Sequence, residues 1–181
     1  MARDLTYEHV GATHPADPDW PPVAAPAGFR RHESTTLIGQ DDDGDDAVWR
    51  SAADAALSWG VKTRSGFTVH PSPGPGGVTL GEELWVHAAF GPLTVREPVR
   101  VVAVVDTPDR CGFAYGTLRG HPVSGEEAFV VHRDPDGRVW LTLRSLTRPA
   151  PGGLWRAAFP VLLVAQLLYR RRYQRALVTS R

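Results

Sequence analysis

Residues 79–147 constrain the fold more than any other part of the chain, because they contain five consecutive segments with the composition of β-strands. In these segments apolar and polar residues alternate over short stretches, as expected of strands that bury one face. The candidates are residues 79–90, 95–106, 111–118, 126–133 and 138–147. The connection DPDG at residues 134–137 has the composition of a tight hairpin turn. Sequential strands joined by connections this short predict an antiparallel meander.

The segment before the meander divides into an arm and three further elements. Residues 1–28 contain five prolines and predict an irregular arm that packs on a single domain formed by residues 29–181. The first 20 residues carry acidic residues and prolines where a secretory signal needs an apolar run, so we expect a cytoplasmic protein. A strand is predicted at residues 29–39, a helix at residues 47–59 and a short strand at residues 66–70.

An acidic run, DDDGDD at residues 41–46, precedes the predicted helix. It lacks the glycine and glutamate at the positions that an EF-hand calcium loop requires. We therefore expect Asp45 or Asp46 to cap the helix and Gly60 to terminate it.

The C-terminal part of the chain contains the longest apolar run, AAFPVLLVAQLL at residues 157–168. Pro160 suits the first turn of a helix, which we expect to reach about Thr179. As a helix, 12 residues span about 18 Å, too short for the roughly 30 Å of bilayer hydrocarbon. We expect a buried helix whose apolar side covers the sheet. The alternative is an interfacial helix in which Arg170–Arg172 contact a membrane or a partner.

Composition excludes several classes of protein. The 20 basic and 20 acidic side chains give a formal net charge of 0, which argues against a nucleic-acid binder. Cys111 is the only cysteine, so an intrachain disulfide and a thiol-rich zinc site are excluded. Lys62 is the only lysine beside 19 arginines, and we interpret this skew as a coding bias. Glu83 and His87 share a strand face, but no further ligand converges on them in sequence, so neither a metal nor a cofactor is predicted.

A set of short motifs between residues 113 and 129 is recognisable: Phe113-Ala-Tyr-Gly-Thr-Leu118, Gly120-His-Pro122, Gly125-Glu-Glu127 and Phe129. Shorter motifs accompany it: Tyr7, Val10-Gly11, Thr13, Arg148-Pro149, Arg172-Tyr173 and Ala176-Leu177. Together they resemble uncharacterised protein family 0548, a family of domains of unknown function, over nearly the whole chain. Two departures are Ala128, where a basic residue is expected, and Gln40–Asp46, which replaces a shorter glycine-containing turn. This resemblance implies no established activity.

The order of elements predicts an α+β helix-grip fold, in which a curved antiparallel sheet wraps around the long C-terminal helix. This order is similar to that of the START-like superfamily, which includes polyketide cyclases and lipid or hormone carriers. The similarity implies a cavity between the sheet and the final helix, suited to a small hydrophobic or amphipathic ligand. A homodimer is compatible with the sequence.

Several polar residues are candidates for binding such a ligand. Tyr115 and Thr117 share one face of a strand, and their hydroxyls would orient a ligand carbonyl if that face is concave. Arg119 at the strand end would bind a carboxylate or phosphate, and Arg148 follows the last strand. The final helix carries a polar stripe at helical spacing, which faces either a pocket or solvent: Gln166, Arg170 and Tyr173.

An acid–base site is the rival hypothesis. His121 lies close in sequence to Glu126 and Glu127, and a histidine beside a carboxylate transfers protons near neutral pH. Adjacent strand residues point to opposite faces, so at most one of the two glutamates enters a cavity. The alternative is that His121 only orders its turn. The sequence therefore leaves three functions open: a ligand-binding protein, an enzyme of the cyclase, isomerase or hydrolase kind, and a docking protein acting through Arg170–Arg172.

Overall fold

The computed structural model describes residues 3–22, 26–42, 45–72, 74, 76–90 and 93–178. Within these ranges the chain forms seven strands and four helices. The strands are β1 (Arg30–Gln40), β2 (Phe67–His70), β3 (Glu83–Phe90), β4 (Leu93–Asp106), β5 (Arg110–Thr117), β6 (Val123–Arg133) and β7 (Arg138–Pro149). The helices are α1 (Ala47–Leu57), α2 (Gly60–Thr63), α3 (Gly153–Ala157) and α4 (Phe159–Arg175).

The strands form one antiparallel sheet in the order β1-β7-β6-β5-β4-β3-β2. Strands β3 to β7 are consecutive neighbours, which confirms the predicted meander and the α+β class. Register shifts between Leu37 and Gly39 and between Val101 and Ala103 bend the sheet, because an extra residue in one strand increases its local twist. The sheet is therefore curved, and α1 and the end of α4 pack against its concave face as a helix-grip fold requires.

Some predicted strand limits differ from the structure. The strand predicted from residue 79 begins at Glu83, because Glu82 N–H donates to the Thr79 carbonyl and closes a turn first. β6 begins at Val123, three residues earlier than predicted, and β7 runs to Pro149. These two extensions pair with each other, since Val123 is the register partner of Pro149.

The start of α1 confirms the predicted capping role of Asp45 but not that of Asp46. Asp45 accepts a hydrogen bond from Ala47 N–H at 3.0 Å, as expected of a capping residue. Asp46 makes no capping bond and instead pairs with Arg133 at 2.8 Å. The first turn is also capped from the end of β1, where both carboxylate oxygens of Asp41 accept backbone N–H groups, at 2.7 and 3.0 Å. Residues 43–44 of the acidic run lie outside the described part of the chain.

The end of α1 also differs from the prediction. The left-handed residue that ends the helix is Trp59, with φ 63°, and Gly60 begins α2. Trp59 is fully buried against the rings of Phe113 and Tyr115, so packing stabilises a backbone conformation that a tryptophan rarely adopts. Gly60 is needed because a Cβ there would overlap the carbonyl of Ala55.

The apolar side of α4 does not cover the sheet as predicted. Its apolar side chains Val161, Val164 and Leu168 are exposed to solvent, and only Phe159 and Tyr173 within the helix are buried. The polar stripe faces the cavity, which is one of the two alternatives that the sequence left open. α4 ends at Arg175, and the predicted limit Thr179 lies outside the described residues. Among the helices described, none has the length and apolar character needed to span a membrane.

The N-terminal arm covers the outer face of the sheet, opposite α1. Glu126 on β6 accepts hydrogen bonds from Tyr7 Oη (2.7 Å), Gly11 N–H (2.8 Å) and Thr13 N–H (3.0 Å). Burial and the Glu126 charge raise the pKa of Tyr7 well above its usual value, so its hydroxyl stays a donor. Tyr7 lies so close to Gly116 of β5 that a Cβ at this position would overlap its ring.

Arg144 on β7 is the second anchor of the arm and is 1% exposed. Its guanidinium donates to the carbonyls of His14 (2.5 Å), Asp17 (3.0 Å) and Pro18 (2.8 Å). It also pairs with Glu33 at 2.8 Å. With the arm in place, all eight residues of β5 are buried.

We expect Arg144→Lys to lower the free energy of unfolding by about 3 kcal/mol, because an ammonium cannot reproduce the forked contacts of a buried guanidinium. Urea denaturation measures this loss, and limited proteolysis should show earlier cleavage within residues 3–22. Arg138→Lys is the matched control, since Arg138 lies on the same strand and is exposed. Equal stability of the two variants would contradict the role assigned to Arg144.

Candidate functional site

A cavity of about 100 Å³ lies between the concave face of the sheet, α2 and α4. Its polar lining comes from strands β4, β5 and β6, the turn before β6, and both helices. The ionisable and hydrogen-bonding groups include Lys62, Glu97, Tyr115, Thr117, His121, Glu127, Gln166, Arg170 and Tyr173. Strand alternation explains the inward set, because Tyr115, Thr117 and Glu127 occupy positions that point to the concave face.

A buried cation lies at the base of the cavity. Lys62 is 3% exposed, and its Nζ lies 2.9 Å from Glu127 Oε2 and donates to Tyr173 Oη at 2.7 Å. Tyr115 donates to the same Glu127 oxygen. We call Lys62, Glu127, Tyr115 and Tyr173 the Lys62 cluster. The Nζ also lies within 5.5 Å of four ring centroids, which stabilise a cation through their π faces: Phe67, Tyr115, Phe129 and Tyr173.

The chain's one lysine is therefore at the base of its cavity. The lysine count was the available sequence signal, and its interpretation as coding bias missed the residue. Arginine and lysine substitute for each other at many solvated positions, but at a buried site the compact ammonium and the planar five-donor guanidinium differ in shape and in hydrogen bonding. A chain that uses arginine 19 times elsewhere keeps lysine where the shape of the cation matters.

The two tyrosines of the Lys62 cluster are hydrogen-bond donors at all ordinary pH values. Burial raises the pKa of Tyr115 well above its usual value, and the nearby Glu127 charge adds to the effect. The pKa of Tyr173 is raised by the same two causes. The cluster thus offers neutral hydroxyls next to one compensated ion pair.

A second pair of ionisable groups, Glu97 and His121, lies on the wall of the same cavity. His121 Nε2 is 3.9 Å from Glu97 Oε2, and His121 Nδ1 lies 3.0 Å from the Val123 carbonyl oxygen. Burial raises the pKa of Glu97 from 4.5 to about 7; the Lys62 charge opposes this shift and the Glu127 charge adds to it. Burial, with the Lys62 charge, lowers the pKa of His121 to about 3, so the imidazole is neutral at pH 7.

The sequence analysis missed Glu97, although a signal was present. Val95, Glu97 and Val99 occupy alternate positions on β4, so a carboxylate stands in the series of side chains that faces the core. An acid at an inward position of an apolar strand needs a partner or a function.

The polar stripe of α4 forms the outer wall of the cavity. Gln166, Arg170 and Tyr173 all line it. Arg170 donates to Ser145 Oγ at 3.1 Å, and burial lowers the pKa of its guanidinium. Seven buried side-chain nitrogen or oxygen atoms of the described residues have no hydrogen-bond partner, and two of them, Gln166 Oε1 and His121 Nε2, belong to residues that line the cavity.

The remaining candidates from the sequence lie elsewhere or have other partners. Glu126 borders the cavity, but its carboxylate binds the arm. Arg148 also binds the arm, donating to the Thr6 carbonyl at 3.0 Å, and to Ser124 Oγ at 3.2 Å. Arg119 is exposed beside a separate depression of about 530 Å³ bordered by the arm and α3. In the described ranges, no three His, Cys, Asp or Glu side chains are close enough to hold a metal ion.

We expect the unfolding free energy of the wild type, relative to Glu97→Gln, to fall by about 2–3 kcal/mol between pH 5 and pH 8. A carboxyl whose folded pKa is raised stabilises the fold below its unfolded pKa, and this contribution is lost as the pH rises from 4.5 through about 7. The lowered pKa of His121 has the opposite effect below pH 6.5, and subtracting the variant removes it.

Urea denaturation at pH 5, 6, 7 and 8 measures this difference. Glu8→Gln is the control, since the Glu8 side chain is 74% exposed outside the cavity and the variant carries the same charge change. If the difference in unfolding free energy between the wild type and Glu97→Gln stays constant from pH 5 to pH 8, Glu97 is ionised in the folded protein at pH 5.

Two curated relatives match part of the chain. A UPF0548 protein of Deinococcus radiodurans is 48% identical over 81 residues, which cover 45% of this chain and 40% of that protein. A UPF0548 protein of Arabidopsis thaliana is 37% identical over 62 residues, or 31% of this chain and 30% of the relative. The matched part is thus less than half the length of either relative.

Solved structures match the fold over most of the chain. A hypothetical protein from Helicobacter pylori matches with a TM-score of 0.56 at 12% identity, and the match covers 88% of this chain and 90% of the Helicobacter chain. A protein from Nitrosospira multiformis matches with a TM-score of 0.51 at 10% identity, and the match covers 83% of this chain and 97% of the Nitrosospira chain. At such low identities the likeness concerns the fold alone.

The predicted resemblance to uncharacterised protein family 0548 is confirmed by the two curated relatives. The sequence profile of a domain of unknown function, DUF1990, matches residues 6–176. Because this match includes nearly all of the arm, sheet and C-terminal helix described above, the chain belongs to the DUF1990 family.

Proposed function

We propose that this protein binds one small amphipathic molecule in the cavity, with an oxygen-bearing polar end directed toward the Lys62 cluster. The observation that carries the proposal is the pair of buried atoms His121 Nε2 and Gln166 Oε1, which have no partner among the described residues. More than nine in ten buried polar groups in folded proteins are hydrogen-bonded. A ligand hydroxyl or amide both donates and accepts, so a group of this kind in the cavity could pair with either atom.

The remaining lining supports an apolar body for the ligand. Val95, Leu162 and Ala165 are among the apolar residues that line the cavity. Contact with these side chains would supply affinity, and the polar end would fix orientation. The charge of Lys62 is already balanced by Glu127, so the cluster favours a neutral oxygen group. Arg170 is the additional cation available to a carboxylate.

The size of the cavity limits how the ligand enters. A volume of about 100 Å³ is below the roughly 300–1,000 Å³ of typical ligand sites. A longer molecule therefore requires α4 to move outward. Within its own length α4 fully buries only Phe159 and Tyr173. Outward movement of α4 would also break the hydrogen bond between Lys62 and Tyr173 and the packing of Tyr169 on Phe67.

We expect native mass spectrometry of the freshly purified protein to show a 1:1 adduct. Ala165→Trp should abolish the adduct, because the indole fills the space that Ala165 leaves in the wall. Leu167→Trp is the matched control, since Leu167 is on the same helix and 52% exposed. The purified wild type is also titrated with decanol and decanoate, and the shift in melting temperature is measured.

A preference for decanol would support the neutral polar end, whereas a preference for decanoate would assign the polar end to Arg170. The proposal fails if the wild type carries no adduct and neither compound raises its melting temperature. It also fails if Ala165→Trp retains the same adduct as Leu167→Trp.

A second candidate function is proton transfer within the same cavity, favoured by the contact between Glu97 and His121. The acid–base hypothesis paired His121 with Glu126 or Glu127, but these carboxylates bind the arm and Lys62 respectively. A Glu97 carboxyl with a pKa near 7 gains and loses a proton at neutral pH, as a general acid–base requires.

Chemical conversion distinguishes the two functions. The ligand released from the denatured wild type is incubated with fresh protein, and its mass and retention time are followed. Conversion by the wild type that is lost in Glu97→Gln supports the enzyme. Recovery of the unchanged ligand supports simple binding.

A further inference from the structure

The outer face of α4 is an unpartnered apolar surface. Its side chains Val161, Val164 and Leu168 are 72%, 61% and 56% exposed, and Leu167 beside them is 52% exposed. The spacing of three and four residues places the first three on one side of the helix. Soluble proteins bury most such side chains, and a contiguous exposed patch marks an interaction site.

The same face continues into a basic end. Arg171 and Arg175 follow Leu168 at the same helical spacing, and both are exposed. Together with Val161, Val164, Leu167 and Leu168 they form what we call the α4 outer face. Neither arginine has an ion-pair partner in the described part of the chain.

Charge is unevenly distributed along the chain, and the C-terminal part, which includes α4, has an excess of basic residues. No Asp or Glu occurs after Asp136, whereas nine arginines do. A protein with a formal net charge of 0 is therefore strongly basic over its last 45 residues. Arg138, Arg144 and Arg148 are ion-paired on β7, whereas Arg156, Arg171, Arg172 and Arg175 are exposed on α3 and α4 without an ion-pair partner among the described residues. These four arginines make the surface around the apolar patch attractive to anions.

We propose that the α4 outer face docks on an anionic lipid bilayer, with the valine and leucine side chains in the interfacial region and the arginines against lipid phosphates. Helices that lie in a membrane interface combine an apolar face with arginine or lysine. This helix differs in that its other face is occupied by the sheet, so the whole domain would lie on the membrane. The apolar end and the basic end are separate, which tilts the helix so that Val161 enters deeper than Arg175.

Charge argues against a second copy as the occupant. A two-fold pair of α4 helices would place the basic, acid-free segments of both copies together, with no carboxylate on either outer face to balance them. An anionic bilayer supplies both an apolar interior and balancing phosphates.

Vesicle flotation tests the proposal with the wild-type chain. Vesicles of phosphatidylcholine containing 30% phosphatidylglycerol are compared with vesicles of phosphatidylcholine alone, at low salt and at 0.5 M salt. We expect at least tenfold more protein to float with the anionic vesicles at low salt. High salt should reduce binding, because it screens the attraction of the arginines for phosphate.

Two variants address the two halves of the surface. Val161→Ser combined with Val164→Ser and Leu168→Ser should reduce flotation at least tenfold, and Arg171→Gln combined with Arg175→Gln should reduce it similarly. Leu80→Ser and Arg50→Gln are the matched controls, since both residues are exposed on other elements, and each should bind as the wild type does. All the changed side chains are exposed, so circular dichroism should be unchanged.

Absence of flotation with anionic vesicles would overturn the proposal, as would equal binding to both vesicle types. Light scattering on the purified protein tests whether a second copy of the chain binds this surface instead. A dimer that dissociates in the triple serine variant would assign this surface to a second copy and also overturn the proposal.

Discussion

Two adjacent glutamates on β6 hold the two sides of this structure together. Because strand side chains alternate, Glu126 points outward and accepts the hydrogen bonds of the arm, whereas Glu127 points inward and balances Lys62. The arm makes the outer face of the central strands a second buried layer, and the inward pair defines the base of the cavity. A one-residue slip of β6 would exchange the two carboxylates and disrupt both layers.

The ionisable groups that line the concave face of the sheet reduce the stability of the fold. A buried ion pair contributes little net stabilisation, since the loss of hydration offsets the attraction between its charges. Glu97 adds a carboxyl whose pKa is raised by burial to about 7, and His121 adds an imidazole that stays neutral at pH 7. An apolar core of the same volume would be as stable or more so. Polar groups gathered around a cavity against this cost are what a binding or catalytic site requires.

The sequence predicted the sheet well because period-two alternation and turn composition are local signals. The same alternation predicted that Tyr115 and Thr117 share a face. The burial of the apolar side of α4 was predicted wrongly for a physical reason. The helix has both an apolar and a polar stripe, and the helix sequence alone does not decide which stripe meets the sheet. The cap at Asp41 was missed because this residue lies seven positions before Val48, whose N–H donates to its carboxylate. The roles of Lys62 and Glu97 were missed because each residue stands out only by contrast. Lys62 is the one lysine in an arginine-rich chain, and Glu97 is a carboxylate between inward-facing valines on β4.

The position of the chain's one lysine has an experimental consequence. Amine-directed reagents have a single side-chain target in this protein, and it lies beneath α4 among four aromatic rings. A reagent reaches that amine only when the helix separates from the sheet. The acylation rate of Lys62 therefore reports the opening frequency of the cavity, and a tightly held guest would slow it without any change to the chain.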